Sequence, residues 1–244
     1  MGEVVLRLEG ITKNFGALKA NENVSLNLAK GEVIALLGEN GAGKTTLMNI
    51  LFGQYIADSG RVEVFGKTLQ PGMPKAALDA GVGMVHQHFT LAHNLSVIEN
   101  VVLGTGSLWS WKLRNKQARQ QLLELANRYH LKINPDAKVS TLSVGERQRV
   151  EILKALFRQA KILILDEPTA VLTPQETEAL FKTLKEATEQ GLSVIFISHK
   201  LREVMIIAQK VAVLRHGKIV ATKETKETSA NELAALMVGN TTSP

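Results

Sequence analysis

The segment Gly38-Glu39-Asn40-Gly41-Ala42-Gly43-Lys44-Thr45 follows directly on the uninterrupted apolar run Val33 to Leu37, and it constrains the chain more than any other stretch. It has the form G-x-x-x-x-G-K-[ST], set between a strand pattern and a helix pattern. Glycines let the backbone wrap so that its N–H groups face one centre, and a helix opening at Lys44 turns its positive end to the same place. Such a cradle suits a phosphate chain. Gly38, Asn40, Gly41, Ala42, Gly43 and Thr46 belong to the wrap, Lys44 supplies a full charge, and the Thr45 hydroxyl is offered to Mg²⁺. A Gly-rich turn that merely caps a helix is the plainer alternative.

The rest of the chain supplies a frame for this loop. Short β-branched runs at 4–8, 33–37, 83–87, 162–165, 193–197 and 211–215 read as strands, and several are apolar at every position, as strands covered on both faces are. Helical patterns such as 175–188 separate the later ones, which predicts an α/β fold with a mostly parallel, helix-covered sheet. The runs 24–28 and 61–65 alternate apolar and polar residues, as half-exposed antiparallel strands do. They predict a small β subdomain. Between 97 and 159 strand signals vanish, and Ala118, Leu122, Leu125, Ala126 and Tyr129 form a helical stripe, so a helical insertion is expected there. The expected division is a core with the β subdomain over 1–87 and 161–238, a helical subdomain over 88–160, and a linker or chain end over 239–244.

Composition narrows the class. With 244 residues, 45% hydrophobic and 21% charged, the chain is an ordinary globular one and neither disordered nor collagenous. The absence of cysteine rules out a disulfide framework or a thiolate metal cluster, and makes the cytosol the default compartment. A net charge of +6 suits an anionic ligand, a nucleic acid or a membrane surface without choosing among them. The longest stretch free of Asp, Glu, Lys and Arg, Ala80 to Ile98, carries His86, Gln87, His88, His93 and Asn94, so no spanning helix is expected. The opening MGEVVL lacks a basic region, and no targeting signal is expected.

The run at 162–165 ends in Asp166-Glu167, which delivers two carboxylates to a sheet edge beside the phosphate loop. Asp166 would hold Mg²⁺ through its waters, and Glu167 would orient the water that attacks a terminal phosphate. The bland reading is that both begin the turn at Pro168.

Taken together, GENGAGKTT at 38–46, LSVGERQRVEIL at 142–153, ILILDEPTAVLT at 162–173 and VIFISHKL at 194–201 resemble the ATP-binding cassette (ABC) transporter ATPases, over essentially the whole chain. The resemblance implies a P-loop NTPase core with an antiparallel β subdomain and an inserted α-helical subdomain, with ATP and Mg²⁺ as ligands. It implies that Phe15 stacks on adenine, with a plain core residue as the alternative. Gln87 takes the place of the glutamine that touches the metal or water and senses the helical insertion. His86 and His88 read as structural or as partner contacts.

The family's signature motif falls on Leu142 to Glu146. Ser143 and Glu146 also form a capping box, and a capped helix with Ser143 and Gly145 exposed would receive the γ phosphate of a second cassette. His199 matches the switch histidine that contacts that phosphate, although a lone histidine after a strand is usually structural. The expected catalytic set is therefore Glu167, His199, Gln87 and Lys44, with Thr45, Gln87 and Asp166 at the metal. Two departures stand out: Val144 and Glu146 replace glycine and glutamine, and Ala170-Val171-Leu172-Thr173 replaces Ser-Ala-Leu-Asp. Thr173 to Glu176 reads as a capping box with Pro174 at the first helical position.

LSVGE with the PTAVLTPQE stretch resembles the first cassette of the duplicated ATPases that serve simple-sugar and nucleoside importers. That implies membrane permease subunits, a second cassette in the same longer chain or as a dimer, an extracytoplasmic solute-binding protein, and a peripheral place on the cytoplasmic face of a bacterial membrane. No nucleic acid is expected. The alternatives are a soluble cassette ATPase acting on nucleic acid or ribosomes, and a regulatory cassette that binds ATP without hydrolysing it.

Overall fold

The computed structural model describes residues 2–87, 89–103 and 111–239, the side chains of 111–115 excepted. His88 and the end of the expected linker, 240–244, lie outside the described residues.

Strands β3 (Val33–Leu37), β6 (Val82–Val85), β7 (Ile162–Asp166), β8 (Ser193–Ser198), β9 (Lys210–Arg215) and β10 (Lys218–Glu224) build one sheet in the order β10-β9-β3-β8-β7-β6. All neighbours in it pair in parallel except β9 with β10. A second, antiparallel sheet has the order β2-β1-β4-β5, from β1 (Val4–Phe15), β2 (Leu18–Ala29), β4 (Ser59–Val64) and β5 (Lys67–Thr68). The run at 4–8 therefore belongs to the β subdomain, where β1 pairs on both sides.

The parallel strands are apolar throughout because each of their faces has a core of its own. Val33, Ala35, Leu37, Leu163, Leu165, Val194, Phe196, Val211 and Val213 point to one cluster, shared with α5 (Val144–Phe157), α6 (Pro174–Glu189), α7 (Leu201–Ile207) and α8 (Ala230–Val238). Their neighbours Ile34, Leu36, Ile162, Ile164, Ile195, Ile197, Ala212 and Leu214 point to the other, where Leu47 and Met48 of α1 (Lys44–Leu51) meet Leu6, Leu8 and Leu28 of the antiparallel sheet. Full burial of each large side chain contributes roughly 1.5–3 kcal/mol, so the alternation locks the strand register from both sides.

Helices α3 (Val97–Val102), α4 (Trp111–Arg128) and α5 lie in sequence between β6 and β7. The expected stripe on α4 is seen: Leu122, Ala126 and Tyr129 are buried, and Ala118 and Leu125 pack beside them. A short helix, α2 (Pro74–Asp79), precedes β6. Two expected strands stop early. β6 ends at Val85 rather than Gln87, and β4 ends at Val64 because Phe65 takes a left-handed φ of 49° in the turn to β5.

Candidate nucleotide-binding site at the carboxyl edge of the parallel sheet

Parallel pairing gathers the candidate residues. Leu37 lies opposite Ser198, Ile197 opposite Asp166, and Leu165 opposite Val85, so the segments leaving β3, β8, β7 and β6 emerge side by side from one edge. Loop 38–43, His199, Asp166 with Glu167, and Gln87 follow one another along that edge, the place where open α/β sheets bind ligands.

The loop is held by its glycines and by backbone pressed against it. Gly41 and Gly43 have φ of 83° and 103°, closed to most side chains. A Cβ on Gly43 would lie 2.2 Å from the Ala20 carbonyl oxygen of β2, and one on Gly38 would lie 2.4 Å from that of Leu214 in β9. Asn21, fully buried, donates from Nδ2 to the Gly43 carbonyl at 3.2 Å. Nothing in its spacing marks Asn21 as a support for the loop.

Helices α3, α5, α6 and α8 are capped by the hydroxyls of Ser96, Ser143, Thr173 and Ser229. Helix α1 begins after Gly43 with no side-chain cap and no acidic residue in its first turn, so its leading N–H groups remain available to an anion. Lys44, 7% exposed, folds over the loop and donates to the carbonyls of Gly38 at 2.6 Å and Glu39 at 3.0 Å. Burial pulls its pKa below the ordinary lysine value, and the nearby Glu167 and Asp166 pull it back. A buried ammonium beside uncapped amides is the donor set a phosphate chain completes. Thr45 is exposed in the first turn, Thr46 half-buried, Asn40 exposed and Ala42 buried.

Glu167 has a φ of 48°, uncommon outside glycine, and its amide donates to the Ile197 carbonyl at 3.0 Å. Its Oε1 lies 2.9 Å from His199 Nδ1, while its buried Oε2 has no hydrogen-bond partner among the described residues. Burial raises the Asp166 pKa first and Glu167 adds to the rise; His86 and Lys44 oppose it. Behind this edge, Lys200 donates to the Thr169 carbonyl at 3.2 Å and pairs with Glu203 at 3.1 Å, tying the turn after Glu167 to the segment after His199. Thr169 and Lys200 fall inside the quoted motifs without a role assigned to them, and Glu203 lies outside every motif.

Among the described residues no group of three His, Asp or Glu forms a ready cation cluster. Thr45, Gln87 and Asp166 offer oxygens alone, the ligand type that Mg²⁺ takes together with waters and phosphates. Gln87 is exposed, two residues beyond β6. Phe15, at the end of β1, is 45% exposed and meets Tyr55 edge-on at 5.6 Å, with Lys13 5.4 Å from its ring centre. The ring is not a core residue, and Tyr55 is a neighbour that sequence reasoning missed.

Ser143 caps α5 in the expected box: the Glu146 amide donates to its hydroxyl at 3.2 Å, and the Ser143 amide donates to Glu146 Oε2 at 2.8 Å. Gly145 corrects the expectation of exposure. It is buried because the Glu176 carboxylate covers it, accepting the Gly145 amide at 3.0 Å. Thr173 caps α6 with Glu176 as expected.

A glycine-wrapped loop with a buried lysine, running from a central parallel strand into a helix beside a carboxylate-bearing strand tip, defines a P-loop nucleotide-binding cassette. The profile of the ABC transporter family matches residues 21–170, and the chain belongs to that family. It is 48% identical to the nucleoside import ATP-binding protein NupA of Lactococcus lactis subsp. cremoris, over 99% of this chain and 48% of that protein. It is 45% identical to the glucose import ATP-binding protein TsgD13 of Haloferax volcanii, over 97% of this chain and 48% of that protein. The chain thus spans about half the length of the curated relatives it matches. An ATP-binding cassette of an ABC transporter in its ADP conformation superposes with a TM-score of 0.83 at 27% identity, covering 97% of this chain and 96% of that one. A dimeric bacterial ABC transporter cassette does so at 0.75 and 25%, covering 90% of this chain and 98% of that one. As an ABC cassette the chain binds ATP. No helix among the described residues is long and apolar enough to cross a membrane.

Proposed function

We propose that this chain is the ATP-binding and hydrolysing cassette that powers import of a small solute, a nucleoside or a simple sugar, through separate membrane permease subunits. The carrying observation is the single edge on which the uncapped α1 turn, Lys44, Asp166, Glu167 and His199 meet. Similarity to nucleoside and glucose import ATP-binding proteins supports the solute class.

In this reading residues 38–46 wrap the triphosphate, with Gly38, Asn40, Gly41, Ala42, Gly43 and Thr46 lining it and Lys44 neutralising it. Phe15 covers the base. Thr45, Asp166 and Gln87 hold Mg²⁺, which when bound neutralises charge between the terminal phosphates. Glu167 accepts a proton from the attacking water at its unpartnered Oε2, while His199 fixes Oε1 and faces the γ phosphate. Ser143 and Gly145 donate to the γ phosphate held by a second cassette, and the similarity to a dimeric cassette supports such pairing. Residues 1–87 and 161–238 act as the core with its β subdomain, and 88–160 as the helical subdomain that follows Gln87 and meets the permease. Residues 239–244 act as a linker or chain end, and the second cassette belongs to the same longer chain or joins as a dimer. A solute-binding protein delivers cargo outside, and the cassette works on the cytoplasmic face of a bacterial membrane.

The test is affinity capture of the tagged chain from detergent-solubilised membranes of its source. Retention of a multi-spanning membrane protein at 0.5 M salt, lost on ATP addition or kept through it, is expected. Recovery of nucleic acid alone, released by salt, would overturn the reading.

A further inference from the structure

Glu176 serves two helix N-termini at once. Its Oε2 accepts from the Thr173 amide at 3.0 Å and from the Thr173 hydroxyl at 3.1 Å, closing the cap of α6. Its Oε1 accepts from the Gly145 amide at 3.0 Å and lies 3.5 Å from the Ser143 hydroxyl in the first turn of α5. The Thr173 amide above all, then the Gly145 amide and the Thr173 and Ser143 hydroxyls, hold this carboxyl below its ordinary pKa against a smaller effect of burial, so it sits there as an anion.

Position 145 is shaped for this contact. Gly145 does not have a left-handed φ, so its backbone does not require glycine. A Cβ there would instead lie 2.5 Å from Glu176 Oε1, and the missing side chain is what admits the carboxylate. The donors concerned, Ser143 and Gly145, are those assigned above to the γ phosphate of a second cassette. Two anions cannot share them.

We propose that Glu176 is an internal stand-in for that phosphate: it occupies the signature turn in the open cassette and has to swing out when a second cassette brings its ATP, which frees the loop at Thr173. This inference rests on the cross-cassette reading of Ser143 and Gly145. There is room for the movement. A cavity of about 470 Å³ adjoins the contact, lined by Gly145, Gln148, Arg149, Glu176 and Lys182 among others. The Arg149 and Lys182 cations on its wall offer the displaced carboxylate a second seat. The loop Ala170 to Thr173 and the signature turn, distant in sequence, are thereby made to respond to one event.

The experiment uses the chain carrying Glu167→Gln, so that bound ATP persists, and follows pairing by sedimentation while ATP is titrated. Adding Glu176→Gln is expected to lower the ATP concentration for half-maximal pairing threefold or more. The Gly43 amide, followed by NMR as a reporter of the chain's own loop, should titrate as in the parent. Equal half-maximal concentrations would overturn the role of Glu176 and leave the cross-cassette reading standing. Gly145→Val separates the two failures, because its side chain fills the space of either anion. Loss of pairing in that variant supports the reading, whereas pairing at the parental ATP concentration, or no pairing of the parent at saturating ATP, removes the reading and the inference with it. Amide exchange in the free chain checks the contact directly: Glu176→Ala, which removes both acceptor oxygens, should speed exchange at both Gly145 and Thr173 threefold or more, and unchanged exchange at both would also overturn the proposal.

Discussion

His199 Nδ1 lies 2.9 Å from Glu167 Oε1, and this contact links the segments that leave β8 and β7 at the carboxyl edge of the sheet. The histidine side chain is half exposed while the glutamate side chain is 10% exposed, so the pair joins a solvent-facing ring to a buried carboxylate. The left-handed backbone of Glu167 stores strain that its bond to Ile197 and the His199 contact both offset. Such a carboxylate is fixed before any ligand arrives, which is the condition for a proton acceptor that costs no reorganisation.

Glu167→Gln is expected to leave ATP binding within about twofold and to lower turnover by two orders of magnitude or more, the usual range for losing a general base. His199→Ala should lower kcat by roughly 10²-fold with little change in thermal midpoint, because an exposed side chain contributes within about 0.5 kcal/mol. Steady-state ATPase assays with calorimetric binding decide both. Wild-type turnover in Glu167→Gln would reject the assignment.

Asp166 gives a pH signature. Its folded pKa is raised above the ordinary 3.8, chiefly by burial, so the proton is held more tightly in the folded chain. The stability it contributes is full below 3.8, and is lost as pH rises through the folded value. Asp166→Asn should therefore raise the melting temperature of the nucleotide-free chain at pH 7, by about 2 °C or more, and the gain should disappear on acidification below the ordinary Asp value. A midpoint that is lower in the variant at pH 7 would contradict the burial argument.

Phe15 is legible as a motif residue but not as an exposed one, and the difference can be measured. Base stacking on an aromatic ring contributes roughly 1–3 kcal/mol, so Phe15→Ala should weaken ATP binding about tenfold or more, while Phe15→Trp retains it. With the ring 45% exposed, the melting temperature should barely move. Calorimetry showing unchanged ATP affinity in Phe15→Ala would leave the ring without a role at the base.

How much of this was written in the sequence depends on how local each feature is. Loop 38–45 was fully legible because contiguous backbone makes it, and Val33–Leu37 because burial on both faces leaves no polar position. Strand β10 is not legible: it is a half-exposed edge with a broken pattern, Lys218 to Glu224, paired among the described residues to β9 alone. The run at 4–8 is only the first part of β1, because Gly10, with a φ of 61°, sits at a register shift between Leu8 and Ile11 that breaks the alternation. Contacts between distant segments left no trace. Asn21 under Gly43 carries no motif, and Glu176 over Gly145 reads as ordinary cap chemistry until the fold brings its partner to it.

Gly43 should be the least replaceable residue of the loop. An added Cβ meets a left-handed φ of 103° and a backbone oxygen at 2.2 Å together. Gly43→Ala is expected to cost about 2 kcal/mol or more in urea unfolding and to abolish ATP binding. Gly66→Ala, at a φ of 74° with open space around it, is the control, and should cost only about 1 kcal/mol with ATP affinity intact. Equal costs at the two positions would show that the β2 backbone does not confine the loop.

Glu151 connects the signature helix to the segment after Gln87. From α5 its carboxylate, 7% exposed as a residue, accepts the Thr90 amide at 2.6 Å and the Thr90 hydroxyl at 2.9 Å; Lys154 donates to the same hydroxyl at 3.2 Å. Removing the acceptor leaves the Thr90 amide unpaired, a loss of about 1–3 kcal/mol, whereas Glu151→Gln keeps an oxygen in place and should cost less. Glu151→Ala is accordingly expected to lower the melting temperature by about 2–4 °C per kcal/mol lost and to speed amide exchange from Gln87 to Thr90. Exchange in residues 38–45 should stay as it was, because that loop is held by β2 and β9 and not by α5. Faster exchange in both segments would mean that α5 supports the whole edge, and unchanged exchange at Thr90 would mean that the carboxylate does not anchor it.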